Sequence, residues 1–341
     1  MQVVHDGCGH RILGPGDDVV LANRYLDHLA TRAFAVATVR TYAFHLLSFL
    51  RFCAERDLNA RSVEPTDLFD FLDWLGRREP GGKVVQLAPG SSPATMNQRV
   101  AVVRGLFDYA VLSGVRPDNP VPVARRSTGW RAKRRGLLGH ISSGRPRTGG
   151  RLVREPTRLP EALEPDEVTA FVEDLNTHRD RAMALAMLLG GLRAGEVRSL
   201  LLADVDHGLR RLRVVGKGNK ERVVPVDRAL FAELTSYLRD ERPAGCSTPE
   251  CFVVLRGPTA GSPLTEAGMR RIFRTHRARS GATRVRPHRL RHTYGTELAT
   301  AGIDLLVLRE LMGHASPETT ARYVHLSADT LAREYAEARS R

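Results

Sequence analysis

Between Arg125 and Arg158 the chain carries eleven basic residues against a single acid, Glu155, and Gly, Ser and Pro fill much of the remainder. A stretch of that composition buries too little apolar surface to offset its ordering entropy. The chain therefore cannot fold as one body across it. The expectation is an extended linker over 123–158, with Arg131, Lys133, Arg134 and Arg135 as its densest run and a phosphate backbone as its partner. With 341 residues, either side is long enough for a domain of its own.

Upstream, apolar residues recur at helical spacing. Val19, Val20, Ala22, Tyr25 and Leu29 mark one helix, and Tyr42, Leu46, Phe49, Leu50 and Cys53 mark a second. Thr66 is the expected cap of a third, and a fourth begins near Ser92. Together they predict a helical domain over 17–122. Residues 1–16 are Gly-rich without periodicity and read as a flexible lead. Arg40, Arg99 and Arg104 lie on these helices as candidate phosphate contacts, although each alone is more simply a solvated face.

Downstream, residues 159–341 alternate short helices with one hairpin. Arg211–Val215 and Arg222–Val226 read as strands joined by Gly216-Lys217-Gly218-Asn219. The fold class is thus mainly α with a small antiparallel β-sheet, in two domains.

A formal charge of +14 favours a polyanionic partner but does not separate DNA from RNA or an acidic membrane surface. No apolar run is long enough to span a bilayer, and no secretory signal is evident. Four scattered cysteines, Cys8, Cys53, Cys246 and Cys251, form no C-x-x-C pair, so they read as reduced thiols of a cytoplasmic protein rather than zinc ligands.

The chemistry concentrates late in the chain. Arg193 sits in Gly191-Leu192-Arg193-Ala194-Gly195-Glu196, and Lys217 and Lys220 in the hairpin turn. His288 stands one helical turn before Arg291, His314 follows in Met312-Gly313-His314, and Tyr323 comes nine residues later. Two arginine forks suit the non-bridging oxygens of a phosphodiester. The histidines add donors, Lys217 is placed to protonate a departing oxygen, and Tyr323 is a candidate nucleophile. Neither an acidic metal cluster nor a P-loop is present in the sequence, so the scheme calls for no metal, cofactor or ATP. Each residue alone has a plainer reading: Arg193 and Glu196 as a surface pair, Tyr323 as packing, Lys217 as an exposed turn. The ordered set is what argues otherwise.

In that order and spacing, these motifs resemble the tyrosine recombinase (phage integrase) family over about residues 160–341, and less specifically over 17–122. The resemblance implies a SAM-like four-helix core-binding domain and a catalytic domain that close as a clamp on double-stranded DNA. It implies catalytic roles for Arg193, Lys217, His288, Arg291, His314 and Tyr323, and a 3′-phosphotyrosyl intermediate. It also implies a homotetramer on DNA in which the last helix, with Leu331 and Tyr335, docks on a neighbour. Gly190 departs from the Ser or Thr common before Gly-Leu-Arg. Two other outcomes share the motifs: relaxation of supercoils in the manner of a type IB topoisomerase, and a catalytically silent DNA-binding accessory protein.

Overall fold

The computed structural model describes residues 1–5, 7, 9–76, 91–122, 152–154, 162–216, 219–314, 317–320 and 339. The chain divides into two compact units, Met1–Thr157 and Arg158–Arg341.

Among the described residues the N-terminal unit has four helices, α1 (Asp17–Thr31), α2 (Val36–Glu55), α3 (Pro65–Gly76) and α4 (Pro93–Leu112). The expected starts hold to within two residues. Ser92 caps α4, its hydroxyl accepting from the Thr95 amide, and Pro93 occupies the first helical position, where a missing N–H costs nothing. Helix α3 begins at Pro65, so Thr66 lies inside it rather than capping it, and the Asp67 carboxylate reaches back to accept from the Glu64 amide. The core is aromatic: Phe49 meets Phe71 and Phe107 with ring centroids 5.2 and 5.8 Å apart, and Phe52 meets Phe71 at 5.3 Å. Such pairs are worth about 1 kcal/mol each beyond the area they bury.

Two expectations are corrected here. The first residues are not an irregular lead. Strands β1 (Gln2–His5) and β2 (His10–Leu13) pair antiparallel, Val3 opposite Ile12. Ile12 is buried, and the Asn23 side chain exchanges two hydrogen bonds of 2.9 Å with its backbone. Ile12 is the one buried residue of β2 and β1 has none, which leaves no periodicity for the sequence to display. Second, the end of the expected linker belongs to this unit. Leu152 packs on the aromatic core, and Asn97 of α4 exchanges two bonds with the Val153 backbone, at 2.8 and 3.0 Å. Each asparagine amide imitates a peptide group and pairs with a chain segment as a strand would.

The C-terminal unit surrounds α6 (His178–Leu188), which is buried on nearly every side through Ala182, Met183, Ala184, Ala186, Met187 and Leu188. Around it lie α5 (Pro165–Asp174), α7 (Ala194–Arg198), α8 (Arg228–Ser236), α9 (Glu266–Ser280), α10 (Pro287–Thr300), α11 (Leu305–Met312) and α12 (Pro317–Thr320). A three-stranded antiparallel sheet runs β3 (Val205–Asp206), β4 (Arg211–Val215), β5 (Glu221–Pro225). Leu212 and Val214 point into the core and their neighbours outward, the period of a half-buried strand. Among the described residues no helix is long and apolar enough to cross a membrane.

Candidate active site

Arg193 is the residue before α7, and its position depends on the turn that precedes it. Gly191 has φ +62°, and a Cβ there would lie 2.4 Å from the Tyr294 ring. Both the backbone and the neighbour therefore demand glycine. Gly190 is tight as well: a Cβ would come within 2.9 Å of the Ala186 carbonyl oxygen, so the departure from Ser or Thr at this position is a packing requirement of this chain.

Glu196, three residues on, is not half of a surface pair. It is 6% exposed and gathers the surrounding cations. It accepts from the Arg193 amide at 2.8 Å and from Arg193 Nη1 at 2.6 Å. Arg222 of β5 donates to both of its oxygens, at 3.0 and 2.8 Å, and Arg291 Nη1 stands 3.9 Å away. Burial pushes the Glu196 carboxyl up, but the bonds from Arg222 and Arg193 and the Arg222 charge outweigh it and hold the group down at about 2.

The C-terminal end of α11 closes the arrangement. Three consecutive carbonyls accept from three arginines: Leu311 from Arg222 Nε at 2.9 Å, Met312 from Arg291 Nη2, and Gly313 from Arg193 Nη2 at 2.9 Å. Helix ends leave such carbonyls without intrahelical partners and carry partial negative charge. Gly313 turns the chain with φ +57°, and His314 follows. The His314 Nδ1 lies 2.9 Å from Thr320 Oγ1. Burial, and then the charges of Arg291 and Arg193, lower its pKa to about 4, so the ring is neutral at pH 7.

Of the residues singled out in the sequence, Arg193, Arg291 and His314 are thus brought together. Arg291 is 5% exposed and also donates to the Gly191 carbonyl. His288 lies in the first turn of α10, exposed, its ring 6.2 Å from that of His292. Lys217 and Tyr323 lie outside the described residues, as do Arg131, Lys133, Arg134 and Arg135. Lys220 is exposed at the base of the hairpin turn, where its carbonyl accepts from the Gly216 amide at 2.8 Å. In the N-terminal unit Arg40 is exposed over the Phe44 ring, whereas Arg99 is only 8% exposed and Arg104 donates to the Pro122 carbonyl. Arg99 does not offer its side chain to a surface as expected.

Sequence reasoning passed over Glu196 and Arg222 as site residues. Both had signals: a glutamate at the third position of a helix is a capping residue, and Arg222 sits two residues before buried Val224 on an alternating strand, facing inward.

The family model described as Phage integrase family matches residues 161–330, and that of the phage integrase N-terminal SAM-like domain matches residues 22–114. Tyrosine recombinase XerD of Mycobacterium leprae is 30% identical over 336 residues, covering 93% of this chain and 96% of that protein. The chain is a tyrosine recombinase of the phage integrase family. Transposase A from transposon Tn554 of Staphylococcus aureus is 27% identical over 92% of this chain and 89% of its own length. Among solved structures, the Tn1549 transposon integrase in complex with transposon right end DNA shares the fold, with a TM-score of 0.64 at 16% identity over 93% of this chain and 99% of that one. The recombinase is accordingly a DNA strand-transfer enzyme, a site-specific recombinase of the integrase and transposase type, on a scaffold of a SAM-like helical domain and a mainly helical catalytic domain.

Proposed function

We propose that this recombinase cleaves and rejoins double-stranded DNA through a covalent 3′-phosphotyrosine at Tyr323, with Arg193 and Arg291 clamping the scissile phosphate. The observation that carries the proposal is the convergence of Arg193, Arg222 and Arg291 on Glu196 and on three successive carbonyls beside His314. Four fixed acceptors hold the guanidinium groups in place before any DNA arrives, and preorganised charge of this kind stabilises a developing phosphorane most effectively. Arg193 keeps a third of its side chain exposed, which leaves a face for an incoming phosphate.

In the proposed step the Tyr323 phenol gives its proton to His288 while its oxygen attacks phosphorus and the bond to the 5′-oxygen breaks. Lys217 gives that oxygen a proton, yielding a 5′-hydroxyl. Neutral His314 donates to a non-bridging oxygen, and His288, once protonated, supplies a further donor. The reverse reaction, with a new 5′-hydroxyl attacking the phosphotyrosine, rejoins the strand without an external energy source. Tyr294 also feels the charges of Arg222 and Arg291, but burial raises its phenol pKa and only 6% of it is exposed, which makes it a poor nucleophile. Exchange of strands requires four active sites, so the acting form is a homotetramer on DNA, with the segment around Leu331 and Tyr335 passing to a neighbour.

A suicide duplex carrying the site, incubated with protein in EDTA, tests the proposal. A protease-sensitive adduct forms with the native chain and is lost in Tyr323→Phe. Lys217→Ala slows adduct formation on an ordinary substrate and regains it on a 5′-bridging phosphorothiolate, whose sulfur departs without a proton. An adduct that persists in Tyr323→Phe contradicts the assignment.

A further inference from the structure

Arg222 ties together the parts of the site that carry Arg193 and His314. It lies on β5 opposite Val214, and its side chain is 8% exposed. Its two terminal nitrogens take one Glu196 oxygen each, and its Nε takes the Leu311 carbonyl. One rigid fork therefore joins three elements: the strand leaving the Lys217 hairpin, the start of α7 that carries Arg193, and the end of α11 that leads to His314. Its fit against α11 is close, since a Cβ on Gly313 would lie 2.9 Å from Arg222 Nη1. A lysine cannot replace it, because a single ammonium cannot bond two carboxylate oxygens and a carbonyl in one plane.

Resting on the proposed roles of Arg193 and His314, we infer that Arg222 is a positioning residue that makes the phosphate clamp conditional on seating of the β4–β5 hairpin. It does not touch the phosphate. It orients Arg193 through Glu196 and holds the turn before His314 through Leu311, so a hairpin that lifts away releases both at once. Glu196 is then the joint through which the hairpin is sensed. The groups facing that carboxylate are Arg193 beside α7, Arg222 on β5 and Arg291 on α10, with Tyr294, His292 and His314 in the same electrostatic surroundings.

Single-turnover cleavage of a suicide duplex by the full chain tests this. Arg222→Ala is expected to lower the cleavage rate constant on the order of 100-fold at saturating DNA, with DNA affinity changed less than about three-fold. Arg222→Lys and Gly313→Ala, which displaces the guanidinium without removing it, are expected to fall between, and they serve if Arg222→Ala does not fold. In Arg222→Ala the rate relative to the native chain falls further as pH drops from about 8 to 5, because a buried carboxylate stripped of its fork takes up a proton more readily. That acid component disappears in the Glu196→Gln, Arg222→Ala double variant, and the double loses little beyond Glu196→Gln alone. Losses that multiply, an acid component that survives in the double, a defect confined to DNA affinity, or undiminished cleavage by Arg222→Ala each overturn the inference. If the native chain forms no adduct, the proposed function fails. If it does and Arg222→Ala cleaves as fast, only the role of Arg222 fails.

Discussion

Arg116 and Arg222 have equally buried side chains, each 8% exposed, in different units. Arg116 lies just beyond α4. It donates to the Ala60 and Val63 carbonyls at 2.9 and 3.2 Å, stands 5.1 Å from the centre of the Phe107 ring, and meets the largely exposed Asp118. Its charge is met by dipoles and an aromatic face. Arg222 is met by a buried carboxylate that Arg193 shares. The first arrangement staples the loop after α4 to the segment between α2 and α3, over a finished apolar core. The second lies beside the apolar core of its unit, next to Leu192, Val197, Val214 and Val224, but its charged members are held by one another. The buried charge of Arg116 is met locally; that of Arg222 belongs to a shared network.

Four measurements sharpen or break that contrast. Glu196→Ala leaves Arg193, Arg222 and Arg291 without their shared carboxylate, and loss of one partner from a buried ionic network costs about 3–5 kcal/mol. Calorimetry is expected to show the C-terminal transition falling by that amount while the N-terminal one stays put. Equal shifts in both would dissolve the distinction.

Acid is expected to act on the same unit. The folded Glu196 carboxyl titrates at about 2 against an ordinary 4.5, so its stabilising contribution is complete above the ordinary value and is lost as pH falls toward 2. The loss is at most about 3 kcal/mol. Glu196→Gln removes this component of the acid profile, and an unchanged profile in that variant speaks against the network. Arg116→Ala is expected to cost about 2 kcal/mol, from two carbonyls left unsatisfied and lost packing on Phe107, with cleavage at saturating DNA unaltered. A cleavage defect would mean that the N-terminal charges are not local after all. The smallest effect belongs to Asn97→Ala: about 1 kcal/mol in the N-terminal unit, and faster hydrogen exchange at the Val153 amide, whose acceptor has gone.

The contrast also explains what the sequence made legible. The helices of the N-terminal unit follow from apolar periodicity, and Phe49, Phe71 and Phe107 each lie on the apolar stripe of a different helix. The β1–β2 hairpin and the docking of Leu152 and Val153 are not, since each rests on one apolar side chain, buried Ile12 or half-buried Leu152, and an asparagine amide from elsewhere in the chain. In the C-terminal unit the motifs mark Arg193, Arg291 and His314 in order along the chain. What they leave out is Glu196 and Arg222, whose importance comes from three elements converging, 26 residues apart in sequence for one contact and 89 for another. Arg99 shows the opposite error: a basic residue on a helix reads as a surface group, yet its helix turns it inward.

Arg193 and Arg291 are held in advance by Glu196 and by backbone carbonyls. The most direct test of their proposed role on the phosphate is single-turnover cleavage by Arg193→Ala and by Arg291→Ala, with DNA binding measured on the same duplex. Each variant is expected to lose on the order of 100- to 1,000-fold in the cleavage step while binding DNA within a few-fold of the native chain. Cleavage at the native rate by either, or a defect that saturating DNA restores in full, contradicts that role.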